Sequence, residues 1–125
     1  RKSGGGSIVL ISSMMAKVVR DGANAYATSR AGMTHFARSA AVQYGSDNIR
    51  VNTVLPGWTL TPLTDNAFDE EWAKRLAKRV PLGRIADASD IAGPILFLAS
   101  DEAKYVTGSE LLADGGVTGW IGPMD

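Results

Sequence analysis

The segment 12–30 carries side chains whose types and spacing suit proton-transfer chemistry. Ser12 and Ser13 follow a short apolar run, and Tyr26 and Arg30 stand four residues apart farther along the chain. If the second part of the segment is helical, the phenol and the guanidinium share one face, because residues four apart are neighbours on a helix surface. The sequence therefore predicts that a hydroxyl, a phenol and a fixed cation converge.

Two elements must position these groups. The run Ser-Ile-Val-Leu-Ile at 7–11 is rich in β-branched residues, which predicts a strand buried on both faces and ending at Ser12. A charged loop at 17–22 then leads to a predicted helix that is capped by Asn24, reaches Tyr44 and ends at Gly45.

The two faces of this predicted helix differ in composition. A period near 3.6 predicts a sheet-facing stripe that, extended backwards, reaches Tyr26 and Arg30. The stripe contains Met33, Phe36, Ala37, Ala40, Ala41 and Tyr44. The opposite face carries Ala27, Ala31 and Thr34, small residues that suit either a contact with another helix or a solvated surface.

The spacing of the polar groups resembles the catalytic segment of short-chain dehydrogenases/reductases. Twelve residues separate Ser13 from Tyr26, and Arg30 occupies the place of the family's lysine in Tyr-x-x-x-Lys. The resemblance implies that Tyr26 is the general acid/base, that Ser13 orients the substrate oxygen, and that the cation favours the phenolate and binds the nicotinamide ribose. Arg30 supplies the charge without the compact geometry of an ammonium group.

A second segment resembles the same family. Residues 49–55 predict a strand that ends at Pro56 and Gly57. In the family this turn faces the nicotinamide, so the resemblance implies cofactor contacts from Pro56, Gly57, Thr59 and Thr61, in addition to Tyr26 and Arg30. The implied cofactor is NAD or NADP, and the implied substrate is a small-molecule alcohol or carbonyl compound.

The rest of the chain has counterparts in the family's substrate lid and carboxyl-terminal pattern. The lid spans about 59–80, with a predicted short helix over Asp69–Lys78. Its apolar members Trp72, Leu76 and Val80 are predicted to cover a hydrophobic site, to which Trp58 and Leu63 contribute. In the segment 88–116, a capping pair at Asp87 and Asp90 precedes a helix over 91–99, a loop over 101–109 and a strand over 110–114. Ala113-Asp114-Gly115-Gly116 resembles a chiefly structural motif of the family.

These resemblances imply an α/β fold in which residues 1–125 form a single partial domain. That domain would be the carboxyl-terminal half of a doubly wound, Rossmann-like parallel sheet. The family's phosphate-binding Thr-Gly-x-x-x-Gly-x-Gly loop precedes its catalytic serine and has no counterpart here; Gly4-Gly5-Gly6 stands before a strand and predicts a turn. We therefore expect this chain alone to be inactive and to bind the cofactor weakly.

Composition narrows the possible partners and location. Thirteen basic and thirteen acidic residues balance, which favours neither nucleic acid nor an anionic membrane as partner. No apolar run approaches the roughly 20 residues of a membrane span. The absence of cysteine excludes thiol catalysis and disulfides, and the lone His35 predicts a surface residue, so no metal site is expected. We predict a cytoplasmic protein.

Two classes of function are consistent with these observations. The first is an NAD(P)(H)-dependent oxidoreductase that interconverts an alcohol and a carbonyl. The second is a non-catalytic half-domain that keeps the inherited architecture and self-associates, because half of a parallel sheet leaves apolar edges exposed. Because such surfaces seldom remain bare, we expect a homo-oligomer.

Overall fold

The described part of the chain forms a three-stranded parallel sheet flanked by helices. The computed structural model describes residues 4–62 and 69–122. The strands are β1 (Gly6–Ile11), β2 (Ile49–Pro56) and β3 (Glu110–Ala113), in the order β1-β2-β3. The helices are α1 (Asn24–Tyr44), α2 (Glu70–Ala77) and α3 (Ala88–Ala99). This arrangement confirms the predicted α/β class with parallel strands.

Helices α1 and α3 cover opposite faces of the sheet. Successive side chains of a strand point to opposite sides, and residues 51 and 54 of β2 accordingly contact different helices. Val51 packs with the alanines of α1 and with Leu10. Val54 packs with Ile91 and Leu98 of α3 and with Val9. Strand β2 lies in the middle of the described sheet and is therefore buried from both sides.

Strand β1 lies at an edge of the described sheet, and the prediction that it is buried on both faces is wrong. Ile8 and Ile11 are 48% and 42% exposed. Among the described residues β1 pairs only with β2, from Gly6 opposite Ile49 to Ile11 opposite Val54. Within residues 4–62 and 69–122, no strand pairs with its other edge to shield the side chains.

The predicted faces of α1 are also corrected. Ala37, Ala40 and Ala41 are buried as expected, and Met33 and Tyr44 are partly buried. Phe36, however, is 63% exposed, whereas Ala27 and Thr34 of the predicted opposite face are buried. The alanines at 37, 40 and 41 pack on the sheet because small side chains allow a close approach, whereas Ala27 packs on Met15 and Ala23, and Ala31 is exposed. The Thr34 hydroxyl tolerates burial by donating to the Ala31 carbonyl at 2.8 Å.

The ends of α1 differ in detail from the prediction. Asn24 is the first helical residue, and the preceding Ala23 makes no side-chain capping hydrogen bond, so the predicted Asn24 cap is wrong. Gly45 ends the helix as predicted, but with a right-handed φ of −59°. A 3-10 turn follows over Gly45–Asp47, and Asn48 then takes the left-handed conformation.

The remaining predicted elements are confirmed, α2 and β3 within one residue at each end and α3 with a start at Ala88, three residues before the predicted 91. Helix α2 begins after Asp69, whose carboxylate accepts from the Trp72 N–H at 2.6 Å. Helix α3 begins with the predicted capping box of Asp87 and Asp90 and continues through Pro94. The predicted loop 101–109 contains a 3-10 turn over Asp101–Ala103. The predicted pocket residue Leu63 lies outside the described residues.

A buried polar side chain holds the sheet to the loop before β3. Asn52 is fully buried in β2, donates to the Val106 carbonyl at 2.8 Å and accepts from the Ser109 N–H at 3.0 Å. Both halves of its amide are thus satisfied, as burial requires. These bonds fix the register in which β3 enters the sheet.

Candidate functional site

Ser12 and Ser13 lie where β1 ends. The Ser12 N–H donates to the Val54 carbonyl at 2.8 Å, which continues the strand pairing by one residue. Ser13 then caps a 3-10 turn over Met14–Ala16, and its hydroxyl oxygen accepts from the Met15 N–H at 3.1 Å. Both serines are buried, so the Ser13 hydroxyl has a fixed place at the carboxyl end of the strand.

Tyr26 and Arg30 lie in the first two turns of α1 and contact each other. The guanidinium carbon of Arg30 is 4.7 Å from the centroid of the Tyr26 ring, a cation–π geometry. Tyr26 is 46% exposed, and its ring therefore faces solvent on its other side. The structure brings together the phenol and the cation that their spacing predicted.

Arg30 also joins α1 to the end of β1. Its Nη1 donates to the Ile11 carbonyl at 3.2 Å, and the Ser12 hydroxyl donates to the Arg30 carbonyl at 2.9 Å. The Arg30 Nε is buried and has no hydrogen-bond partner within residues 4–62 and 69–122. These contacts place the Tyr26–Arg30 pair beside the strand end that carries Ser13.

The turn after β2 lies against the end of β3. The Gly57 N–H donates to the Ala113 carbonyl at 3.0 Å. A Cβ at Gly57 would lie 2.7 Å from the Asp114 Cα, a distance that side chains do not tolerate. Glycine is therefore required at position 57 by close backbone packing, in a turn that begins at Pro56.

Thr59 and Thr61 are partly buried on the segment that leaves this turn. The Thr59 hydroxyl donates to the Gly57 carbonyl at 3.2 Å, and Thr59 lies opposite Ala86 in an isolated parallel bridge. The Leu60 N–H donates to the Ala86 carbonyl at 2.8 Å. These contacts hold the segment in place as far as Leu60.

The carboxyl ends of all three strands meet at one edge of the sheet, which is where open α/β sheets bind ligands. Ser13, Gly57 and Asp114 follow β1, β2 and β3 respectively. The Asp114 carboxylate accepts from the Gly116 N–H, the Thr118 N–H and the Thr118 hydroxyl at 2.7–2.9 Å. Burial opposes its ionisation, yet the bonds from Thr118 and Gly116 outweigh burial and lower the pKa of Asp114. All three bonds lie within its own turn, in agreement with the structural role predicted for Asp114.

A separate cavity of about 550 Å³ lies beside β3 and the start of α3. Its apolar lining includes Trp58 and Val80, as the sequence predicted, and also Leu82, Leu112 and Pro94. Leu76 is buried, but neither it nor Trp72 is among the residues that line this cavity. Ser13, Tyr26 and Arg30 are not among the lining residues, so this cavity is distinct from the proton-transfer group.

An ion pair at the cavity is a feature that the sequence interpretation did not include. Two guanidinium nitrogens of Arg84 donate to the two Asp90 oxygens at 2.6 and 2.8 Å. Together with the Asp87 N–H, Arg84 lowers the pKa of Asp90 to about 2. The capping pattern around Asp90 was recognisable in the sequence, whereas the pairing depends on the turn at 81–84.

The described part of the chain offers neither a metal-binding cluster nor a membrane-spanning helix. It contains no group of histidine, cysteine, aspartate and glutamate residues that could hold a metal ion. His35 is exposed on α1. No helix within residues 4–62 and 69–122 is long and apolar enough to cross a membrane.

Comparison with known proteins identifies the family. Residues 1–118 match the family model described as enoyl-(acyl carrier protein) reductase. The L-rhamnose 1-dehydrogenase (NAD(P)(+)) of Sphingomonas sp. (strain SKA58) is 45% identical over 118 residues, which are 94% of this chain and 46% of that protein. The chain spans about half the length of the curated relatives it matches.

Solved structures share the fold. A short-chain type dehydrogenase/reductase from Mycobacterium marinum has a TM-score of 0.85 and 32% identity, covering 94% of this chain and 46% of that one. A gluconate 5-dehydrogenase from Burkholderia cenocepacia J2315, in complex with NADP and tartrate, has a TM-score of 0.89 and 27% identity, covering 96% and 48%. These neighbours confirm the Rossmann-like fold class, and the chain therefore belongs to the short-chain dehydrogenase/reductase family.

Proposed function

We propose that this chain is the catalytic portion of an NAD(P)(H)-dependent oxidoreductase that interconverts an alcohol and a carbonyl. In this proposal Tyr26 exchanges the proton with the substrate oxygen, and Ser13 orients that oxygen. Arg30 provides a cation beside the phenol ring, suited to stabilise negative charge that develops during proton transfer. The substrate is a small alcohol or its carbonyl counterpart.

One observation carries the proposal: the contact of Arg30 with both Tyr26 and the end of β1. The guanidinium lies over the Tyr26 ring while it donates to the Ile11 carbonyl. A cation held from two sides beside a phenol is preorganised to stabilise developing negative charge. Ser13 follows Ile11 by two residues, so the hydroxyl belongs to the same corner of the molecule.

The residues at the carboxyl edge of the sheet fit the nicotinamide end of a cofactor. A buried Arg30 Nε without a partner among the described residues is a donor that suits a ribose hydroxyl. Pro56, Gly57, Thr59 and Thr61 follow the central strand at the edge where such ligands bind. When bound, the cofactor supplies or accepts the hydride. The task of this chain is to hold the substrate oxygen and move the proton.

We further propose that the chain corresponds to the carboxyl-terminal half of its family's domain and that all 125 residues form one partial unit. The match to about half of each relative's length supports this assignment. The phosphate-binding residues would then lie outside this sequence, and the chain alone would be inactive and bind NAD or NADP weakly. We also propose a cytoplasmic location, where the soluble nicotinamide pool is available.

Replacement of the phenolic hydroxyl tests the proposal. In the protein that carries this sequence, Tyr26→Phe should abolish oxidation of a panel of small alcohols with NAD and NADP, because the exchangeable proton is lost. Tyr105→Phe is the matched control, since Tyr105 is fully exposed and lies outside the site. If Tyr26→Phe turns over substrate as fast as the parent, the proposed dehydrogenase mechanism is refuted.

A second candidate function, a non-catalytic module that self-associates, is favoured by apolar residues on the surface. Leu96 and Phe97 of α3 and Leu112 of β3 are 70%, 42% and 43% exposed. On the small-residue face of α1, Ala27 and Thr34 are buried within the chain and only Ala31 is exposed, so this face offers little surface for association. Association through α3 should be weakened by Leu96→Glu but unaffected by Val42→Glu on α1, as measured by sedimentation equilibrium. A folded monomer at high concentration would exclude a homo-oligomer.

A further inference from the structure

Glu110 is a buried carboxylate with two cationic partners from other parts of the chain. Its side chain is 8% exposed and forms ion pairs with Lys17 and Arg38. The partners' side chains are 41% and 51% exposed, so both reach inward from the surface. A buried carboxylate without a counter-charge is costly, which gives these contacts more weight than ordinary surface ion pairs.

The first partner belongs to the segment that holds Ser13. Lys17 directly follows the 3-10 turn that Ser13 caps, and its N–H donates to the Met14 carbonyl at 2.8 Å. The Val18 N–H donates to the same carbonyl at 3.2 Å. Glu110 therefore holds the far end of the turn that begins at Ser13.

The second partner belongs to the helix that holds Tyr26 and Arg30. Arg38 lies in α1, eight residues after Arg30, about 12 Å along the axis at 1.5 Å per residue. Glu110 itself is fixed in β3, opposite Thr53 of the central strand. A single carboxylate, anchored in the sheet, thus contacts both segments that carry the proposed catalytic groups.

We propose that Glu110 is a positioning residue that sets Ser13 relative to Tyr26 by holding Lys17 and Arg38 together. This inference rests on the proposed function. Helix α1 is also held along its length by the packing of its alanines on the sheet. The 14–18 segment is a single short turn, and the packing of Met15 and Val18 with Ala23 and Ala27 is its main other support. Loss of the Glu110 charge therefore releases Lys17 and the Ser13 turn first.

Hydrogen exchange measured without substrate or cofactor tests this arrangement in the protein that carries the sequence. Glu110→Gln and Lys17→Met should each speed exchange of the Lys17 and Val18 amides by about tenfold, the scale of roughly 1.4 kcal/mol. The double variant should exchange no faster than either single variant, because both remove one interaction. The Thr53 amide, which donates to the Ser109 carbonyl at 2.9 Å, should be unchanged and reports on the sheet.

Turnover separates positioning from a merely structural role. Glu110→Gln should lower kcat about tenfold with KM within about twofold of the parent. Lys17→Arg, which keeps the ion pair, should match the parent. Glu102→Gln on the exposed turn after α3 is the charge-matched control.

Unchanged exchange at Lys17 and Val18 in a folded Glu110→Gln protein would overturn the inference, as would additive effects in the double variant. Should Glu110→Gln fail to fold, Lys17→Met carries the same test, because its side chain is largely exposed. Faster exchange with unchanged kcat in an active enzyme would refute positioning. If Tyr26→Phe has removed the dehydrogenase mechanism, the exchange measurements still decide whether Glu110 holds the segment.

Discussion

Substitutions at Arg30 address the contact on which the proposed chemistry depends. Arg30→Ala removes the cation–π contact with Tyr26 and the hydrogen bond to the Ile11 carbonyl. The stacking contributes about 0.5–1 kcal/mol at a half-exposed ring, and a hydrogen bond from a charged donor contributes about 1.5 kcal/mol. The sum is about 2 kcal/mol. The bond from the Ser12 hydroxyl to the Arg30 backbone is retained, so the change isolates the side chain.

If these contacts act in the transition state, a loss of about 2 kcal/mol lowers kcat/KM about thirtyfold. Arg30→Lys keeps a charge and restores the residue of the family's motif, so its activity should equal or exceed that of the parent. Both variants are to be compared with the parent through kcat/KM as a function of pH and through urea unfolding. Arg20→Ala, on the exposed loop before α1, is the control for loss of a positive charge.

Two results would refute the reasoning about Arg30. An Arg30→Ala enzyme with the parent's pH–rate profile would show that the cation does not tune proton transfer. An equal loss of activity in Arg30→Ala and Arg20→Ala would show that net charge, rather than the contact with Tyr26, is responsible.

Three further predictions concern stability and binding. Arg84 helps to lower the pKa of Asp90 from 3.8 to about 2. Because a depressed pKa stabilises the folded state above pH 3.8, part of the free energy of unfolding should be lost between about pH 4 and 2 in acid titrations. Asp90→Asn should lack this pH-dependent contribution. Gly57→Ala places a Cβ 2.7 Å from the Asp114 Cα and should lower the free energy of unfolding by about 1–3 kcal/mol in urea, whereas Gly119→Ala, with open space around it, should not. Calorimetric titration of the 125-residue chain alone should show NAD(P)(H) binding weaker than micromolar; a micromolar dissociation constant, about −8 kcal/mol, would contradict the proposal that the phosphate-binding residues lie elsewhere.

The sequence predicted elements whose causes are local. The β-branched run at 7–11 and the Pro56-Gly57 turn mark strands through short-range sterics, and both strands lie where expected. The Asp87 and Asp90 pair satisfies the first N–H groups of α3 through neighbours in the chain, so it too was visible in the sequence.

Features that depend on how the helices and strands pack together were harder to predict from the sequence. The hydrophobic pattern predicted that Phe36 lies on the buried face of α1, but Phe36 is exposed. The short distance between helix and sheet leaves room there only for small side chains. Ala37, Ala40 and Ala41 fit that narrow space, and Thr34 fits because its hydroxyl finds a carbonyl in its own helix. Glu110 was read only as part of a strand, since its two cations come from positions 17 and 38.

The exchange of lysine for arginine at position 30 has a meaning in the structure that the motif alone does not convey. The sequence interpretation treated it as a change in the shape of a charge beside a phenol. In the fold, the planar guanidinium lies on the Tyr26 ring and simultaneously reaches the Ile11 carbonyl, a combination that its flat shape and several N–H donors allow. Arg30 therefore contributes to holding the first turns of α1 against β1 as well as to the electrostatics of the site. Since Ser12 supports the same junction from the strand side, the position of the proton-transfer group follows from contacts between two backbone segments, the end of β1 and the first turns of α1.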